Sequence, residues 1–407
     1  MKIKFLIITL FVFPYFLLAQ DSFLLSGRVV NTNFTDTVSF EFQAHKVIVP
    51  VLLGGKIRCF ILDTGAPLVV SKKLQEELQL EKLRTALVRD VNEQSKETDF
   101  VKINELQIGK VVFQDLTAAV SDFEGNLLAC FGVEGLIGSN MLKNTIININ
   151  TRRKEIILTD QKDFWKSKEQ YAQPLILTKN QQTPIITIFP FKKASEKVIL
   201  DLGSDDFYAL SNRNFQFFKE KIKIEKYVIA EGRGASTIGL YGIEKDTLSY
   251  LLKLPELKIN QTLFANAEAV TTIDENSRIG AKILDCGSVV VDYLYQRFYF
   301  IPFEEKKEII IANDNWGLLL KPEKNQVKVG LVWSGSEAYK KGIRANDIVK
   351  KINNYDLENK PLCELLFQVK KELAEQNTLL LTLISQGGKQ KQIYLSSRFL
   401  LFNDGKK

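Results

Sequence analysis

Two short stretches place a carboxylate where burial would make it expensive. "CFILDTGAPLVVS", Cys59 to Ser71, ends an apolar run on Asp63 followed by Thr64 and Gly65, and "VILDLGSDDFYALS", Val198 to Ser211, does the same with Asp201, Leu202, Gly203 and Ser204. An acid at the end of a buried strand is destabilising unless something holds its charge, and two such acids brought face to face can share one proton and a set of backbone N–H donors. Glycine two positions after each acid lets the loops come close. The chemistry of that pair is general acid–base work on water: the ionised carboxylate takes a proton from water as it attacks a peptide carbonyl, and the protonated partner donates to the oxygen or the leaving nitrogen. The two titrate as a unit, so the sequence does not divide acid from base between Asp63 and Asp201.

Other chemistries find little support. The single histidine, His45 in "QAHKVIVP", reads as a surface or capping residue and leaves no partner for a Ser-His-Asp or Cys-His arrangement. Cys59, Cys130, Cys286 and Cys363 lie far apart without zinc-type spacing, so no metal site is expected; three full disulfide pairings, or free thiols, remain open. No cofactor is required. A third Asp-x-Gly, Asp285 to Gly287 in "ILDCGSVV", reads as turn composition. Asp205 and Asp206 read as solvated neighbours of the second loop. The formal charge of +7 comes from basic residues interleaved with acids, as in "FKEKIKIEK", which predicts solvated surface and no nucleic-acid partner.

The elements that must position these acids form a repeat. "VPVLLGGKIRCFILDTGAPLVVS" and "TPIITIFPFKKASEKVILDLGSDDFYALS" each read as a proline-led strand, a turn, a second strand, Asp-x-Gly, and an apolar run ending in serine. Ser71 and Ser211 each precede a helical segment and can cap it. Downstream, "GLIGSNMLKNTIININTRRKEIIL" and "SRIGAKILDCGSVVVDYLYQRFYFI" match as an apolar-Gly element, a short helix and two strands. The two offsets agree to within a few residues, so a unit of about 140 residues occurs twice, joined through "TDQKDFWKSKEQYAQP".

At these residues the sequence resembles the aspartic peptidases of the retropepsin-like group. "ILDTGA" at 61–66 carries the resemblance, with "LIG" at 136–138 and "RIG" at 278–280 as the element packed beneath each loop. It covers roughly residues 40–303 and implies a mostly β, bilobal pseudo-dimer within one chain, hence a monomer, with Asp63 and Asp201 catalytic and Thr64, Gly65, Gly203 and Ser204 supporting the loops. In the family the residue after each aspartate is Thr or Ser and braces the opposite loop. Thr64 fits and Leu202 does not, while the resemblance assigns Ser204 to the outer carboxylate oxygen. The alternative is a peptide-binding scaffold that keeps the fold without hydrolysis. "EGRGASTIGLYG", Glu231 to Gly242, is the candidate cover hairpin, with Gly234 and Tyr241 as its marked residues, and "VRDVNEQSKETDF" is its counterpart in the first copy.

After "FEEKKEIIIANDN" the stretch "VGLVWSGSEAYKKGIRANDIVKKINNYDL" reads as a strand, a "GSEAYKKGI" helix and "RANDIVKKINN" leading into another strand, and there the chain resembles a PDZ domain, an α+β module that binds extended peptides along a sheet edge and captures a C-terminal carboxylate on backbone N–H groups. "NWGLLL" stands at the capturing loop, which assigns Trp316, Gly317, Leu318 and Leu319 to it. The start is of a different kind: Lys2 and Lys4, a largely apolar stretch from Phe5 to Leu18 and then Ala19 read as an export signal, shorter than the roughly 20 apolar residues of a membrane span. The expected layout is a signal peptide at 1–20, lobes at 21–165 and 166–304, and the PDZ module at 305–402. The mature protein would be exported, without a stable membrane span, and would take polypeptide as substrate and a C-terminal peptide as module ligand.

Overall fold

The computed structural model describes residues 22–396 except 91, 193, 236, 237, 240, 241 and 312–315, so the signal segment and Tyr241 lie outside the described residues. The chain is mostly β. Two hairpins set the frame. In the first, Lys46–Leu53 pairs with Lys56–Asp63 through Gly54 and Gly55, both at positive φ (62° and 73°), which a two-residue turn matching the strand twist demands. In the second, Pro184–Phe191 pairs with Ala194–Asp201. Alternation along these strands buries one set of side chains in a single large apolar core that includes Val47, Val49, Phe60, Leu62, Ile186, Ile188, Val198 and Leu200.

Each hairpin sits in a sheet with the same local order. In the first lobe the neighbours run Val111–Ser121, Val69–Ser71, Gly135–Gly138, Lys56–Asp63, Lys46–Leu53; in the second they run Ala267–Thr272, Tyr208–Ser211, Arg278–Gly280, Ala194–Asp201, Pro184–Phe191. The registers correspond as well. Gly138 lies opposite Asp63 in a parallel pair, and Gly280 opposite Asp201. Ser71 Oγ accepts from Leu74 N and Ser211 Oγ from Asn214 N, both at 3.1 Å, so each serine caps the helix that follows (Lys72–Leu78 and Asn212–Ile222).

A six-stranded sheet joins the lobes. Its centre is the antiparallel pair Ile146–Asn150 with Gly287–Asp292, one strand from each lobe, flanked by Glu155–Thr159 and Arg297–Pro302. This pairing ties both halves to one backbone ladder and fixes the approach of the two Asp-x-Gly loops.

The C-terminal module has its own core, with Trp316, Leu318, Val329, Ile352, Leu365 and Leu381 among its buried members. Its sheet runs Leu318–Glu323, Gln326–Val332, Ile348–Ile352, Leu379–Ile384, Gln390–Leu395, and the helix Leu362–Glu375 packs on it. The module is bound to both lobes. Ala235 N donates to Gly330 O at 3.0 Å, Ser334 N to Glu231 O at 2.7 Å, and Leu331 and Trp333 bury against Ala230 and Leu251 of the second lobe. A disulfide, Cys130–Cys363, joins the helix to the first lobe, where Phe131 and Phe367 meet edge-to-face at 5.4 Å. Cys59 and Cys286 are free thiols. No described helix is long and apolar enough to cross a membrane.

Candidate active site

Asp63 and Asp201 end matching strands and turn toward each other through the loops that follow. Asp63 Oδ1 accepts from Gly65 N at 3.0 Å and Ala66 N at 3.1 Å; Asp201 Oδ1 accepts from Gly203 N at 3.0 Å. The glycines show how close the loops come. A Cβ on Gly65 would lie 2.7 Å from Cγ of Asp201, and one on Gly203 would lie 2.3 Å from Cγ of Asp63. Each acid therefore rests on the glycine of the opposite loop, and no side chain fits between them. Burial, and then the charge of Asp201, push the Asp63 carboxyl up to about 7, against Lys46 and the two backbone donors, which pull it down.

Thr64 braces this crossing. Its hydroxyl donates to Leu200 O at 2.5 Å and accepts from Leu202 N at 3.0 Å, so one side chain satisfies two backbone groups of the opposite strand. Ser139 Oγ, itself 3.0 Å from Tyr293 Oη, donates to Thr64 O at 2.7 Å, and Gln181 Nε2 donates to Gly65 O at 2.9 Å. Leu202 makes no return brace. Its side chain is fully buried in the shared core.

Three expectations are corrected here. Ser204 does not support the outer oxygen of Asp201: its hydroxyl donates to Asp206 Oδ2 at 3.2 Å, and the outer oxygen instead meets Arg278 Nη1 at 3.3 Å. An acceptor two residues along the chain is the nearer partner for a serine in a tight loop. Asp205 is not merely solvated either. It is clamped between Lys46 of the first lobe and Lys370 of the C-terminal helix (Nζ–Oδ2 2.6 Å), and although burial opposes its charge, Lys46 and Lys370 hold the carboxyl down at about 2. Asp206 is exposed, as expected. Third, Gly234, marked as a residue of the cover hairpin, packs elsewhere: a Cβ there would lie 2.0 Å from Gly330 O, which makes Gly234 part of the packing between the second lobe and the module. Gly239, the last residue of the short strand Ile238–Gly239 that pairs with Gly242–Ile243, abuts Asp90 and Asn92 of the first lobe's hairpin turn.

Arg278, Lys46 and Asp274 stand around the pair, and no motif of the sequence assigns them a role there. Lys46 Nζ donates to Gly203 O and Asp205 Oδ1, and Arg278 Nη2 pairs with Asp274 Oδ2. One signal was available: "SRIG" carries an arginine where the first copy has Leu136 in an otherwise apolar strand. Asp285 ends the short turn Ala281–Asp285 and lies 3.0 Å from His45 Nε2, in keeping with its turn composition. In the module, Gly317 stands at φ 77°, its carbonyl accepting from Trp333 N at 2.9 Å and Ser336 Oγ at 3.2 Å. The side chains of Trp316 and Leu318 fill the module core, with Trp316 Nε1 donating to Leu373 O at 3.1 Å, while Leu319 packs toward the second lobe. These side chains are taken up by packing, and Leu318 and Leu319 pair with Val332 and Leu331 in the module's sheet. Among the described residues no cluster of His, Cys, Asp or Glu could hold a metal ion.

Two carboxyls so placed, given a water between them, can deprotonate it with one carboxylate and protonate a polarised carbonyl with the other. Residues 49–141 match a family model described as "Aspartyl protease", a span that includes Asp63 and excludes Asp201. Among solved structures, a retropepsin-like aspartic protease from Rickettsia conorii is 18% identical, over 33% of this chain and 92% of its own, with a TM-score of 0.24. Conglutin gamma, a basic 7S globulin from lupine seeds, is 12% identical over 66% of this chain and 95% of its own, with a TM-score of 0.39. The chain has no match among curated proteins.

Proposed function

We propose that this protein is an exported, single-chain aspartic endopeptidase of the retropepsin-like type, in which two copies of one unit each supply an aspartate, Asp63 and Asp201. The carrying observation is the crossed packing of each carboxylate on the opposite loop's glycine, a placement with no structural use that an apolar residue would not serve better. The Asp63 carboxyl, raised to about 7, would keep one proton on the pair through the acidic range, so activity should extend from acidic pH toward neutrality and fall above it. The substrate is polypeptide, the reaction needs no cofactor, and the C-terminal module, read as a PDZ domain, positions or recruits that polypeptide. The Cys130–Cys363 disulfide suits an oxidising, extracytoplasmic compartment.

A second reading is favoured by Leu202: a lobed peptide-binding protein that has lost hydrolysis. Incubating the purified mature chain with a denatured protein from acidic to neutral pH separates the two. The peptidase reading expects cleavage that Asp63→Asn and Asp201→Asn each abolish, at a rate per molecule independent of protein concentration. Peptide binding without cleavage establishes the scaffold instead. Activity that survives Asp201→Asn and rises steeply with concentration would mean that the first lobe acts as an intermolecular dimer.

A further inference from the structure

The strand order around the two acids is the same, yet their surroundings are not. In the first lobe the residue two positions before Gly138 is Leu136, which packs with Ile48, Ile61, Val69 and Phe100 in an apolar cluster. In the matching register of the second lobe stands Arg278. It is 6% exposed, its Nη1 lies 3.3 Å from Asp201 Oδ2, and its Nη2 is ion-paired with Asp274 Oδ2. Among the described residues no guanidinium pairs with Asp63, whose carboxylate accepts from the N–H groups of Gly65 and Ala66. A buried arginine in a strand that packs under a reactive loop is costly, and a leucine would serve the packing.

The other charges near the pair do not cancel this difference. Lys46 of the first lobe acts on both Asp63 and Asp201, and it is engaged by Asp205, which Lys370 of the module also holds. Asp206 acts on Arg278 from the same loop as Asp201, and Tyr293 lies near Asp63 as a neutral phenol whose pKa burial raises. Asp274 shares the guanidinium, so Arg278 lies between two carboxylates, Asp201 and Asp274.

Building on the peptidase reading, we propose that Arg278 is a positioning residue that breaks the symmetry of the pair, holding the negative charge on Asp201 as general base and leaving the shared proton on Asp63 as general acid. As the water oxygen bonds to the carbonyl carbon, Asp201 takes a water proton and Asp63 gives its proton to the carbonyl oxygen. When the C–N bond breaks, Asp201 passes its proton to the leaving nitrogen, and Asp63 recovers one from the tetrahedral hydroxyl. The pair returns to its starting state, with Asp63 protonated and Asp201 charged.

The test is the pH dependence of kcat/KM on denatured casein for the full mature chain and for Arg278→Leu and Arg278→Lys. Loss of the cation should move the acidic limb upward by about one to three pH units, and lysine should restore most of that shift. Arg278→Leu/Asp274→Asn removes the stranded carboxylate and stands in if the single variant does not fold. A uniform loss of activity with unmoved limbs, or a lysine variant no better than leucine, overturns the proposal. Carbon-13 titration of the labelled aspartate carboxyls, assigned with Asp63→Asn and Asp201→Asn, reads the same point without turnover. If the wild type cleaves nothing, the peptidase reading falls, but an upward move of the pair's first titration step in Arg278→Leu still supports the charge assignment, and an unmoved step overturns it.

Discussion

Asp63 is protonated up to about pH 7 in the folded protein because burial and the neighbouring Asp201 disfavour its charge, whereas the ordinary value is 3.8. Between those values the folded chain binds more protons than the unfolded one, so this residue's contribution to stability is greatest at the acidic end and is lost as pH rises toward 7. Three pKa units correspond to about 4 kcal/mol. Asp63→Asn cannot ionise, so the variant should gain on the wild type by an amount of this order between pH 4 and pH 7, read from urea midpoints at the two pH values. An unchanged difference would mean that Asp63 is not the strained acid. The stored cost is a property of the site, and Thr64 offsets part of it by satisfying Leu202 N and Leu200 O.

The elements deliver these acids through glycines used for different reasons. Gly55 turns a hairpin at φ 73°, and nothing lies within 4 Å of a Cβ built on it; Gly203 is needed because the carboxylate of Asp63 occupies the space a side chain would take. The substitutions should separate accordingly. Gly55→Ala costs about 1 kcal/mol of stability and leaves turnover near that of the wild type. Gly203→Ala forces the loops apart, and a displacement of about 1 Å at a reacting group costs on the order of 100-fold in kcat, with the circular dichroism spectrum unchanged. If both variants cleaved normally, the crossed packing would not be the geometry that matters.

On the scale of the whole molecule, the C-terminal helix Leu362–Glu375 reaches both lobes, through Cys363 to Cys130 and through Lys370 to Asp205. These ties are unequal. The ion pair is partly exposed, 39% on each side, and is expected to contribute no more than about 1 kcal/mol, whereas a disulfide spanning 233 residues is expected to contribute about 2–4 kcal/mol. Lys370→Ala should therefore leave the module docked. The Cys130→Ser/Cys363→Ser variant should raise hydrogen exchange in Leu127–Phe131 and Leu362–Glu375 while the inter-lobe sheet stays protected. Equal exchange in both variants would assign the docking to the apolar contact of Leu331 and Trp333 with the second lobe alone.

Features that depend on near neighbours are legible in the chain. Alternation fixed the strands, Gly54-Gly55 the first turn, Ser71 and Ser211 the helix starts, and Asp-x-Gly after an apolar run marked the two acids. The rest emerges on folding, because long-range partners leave no spacing in the chain. Cys130 was one of four equivalent thiols until the module's helix met the first lobe. Trp316 and Leu318 turned inward because a small core needs their area. Arg278 read as one residue of an apolar-Gly element until folding placed its guanidinium on Asp201, 77 positions away. Charge acts through space, and a one-dimensional pattern does not carry that distance.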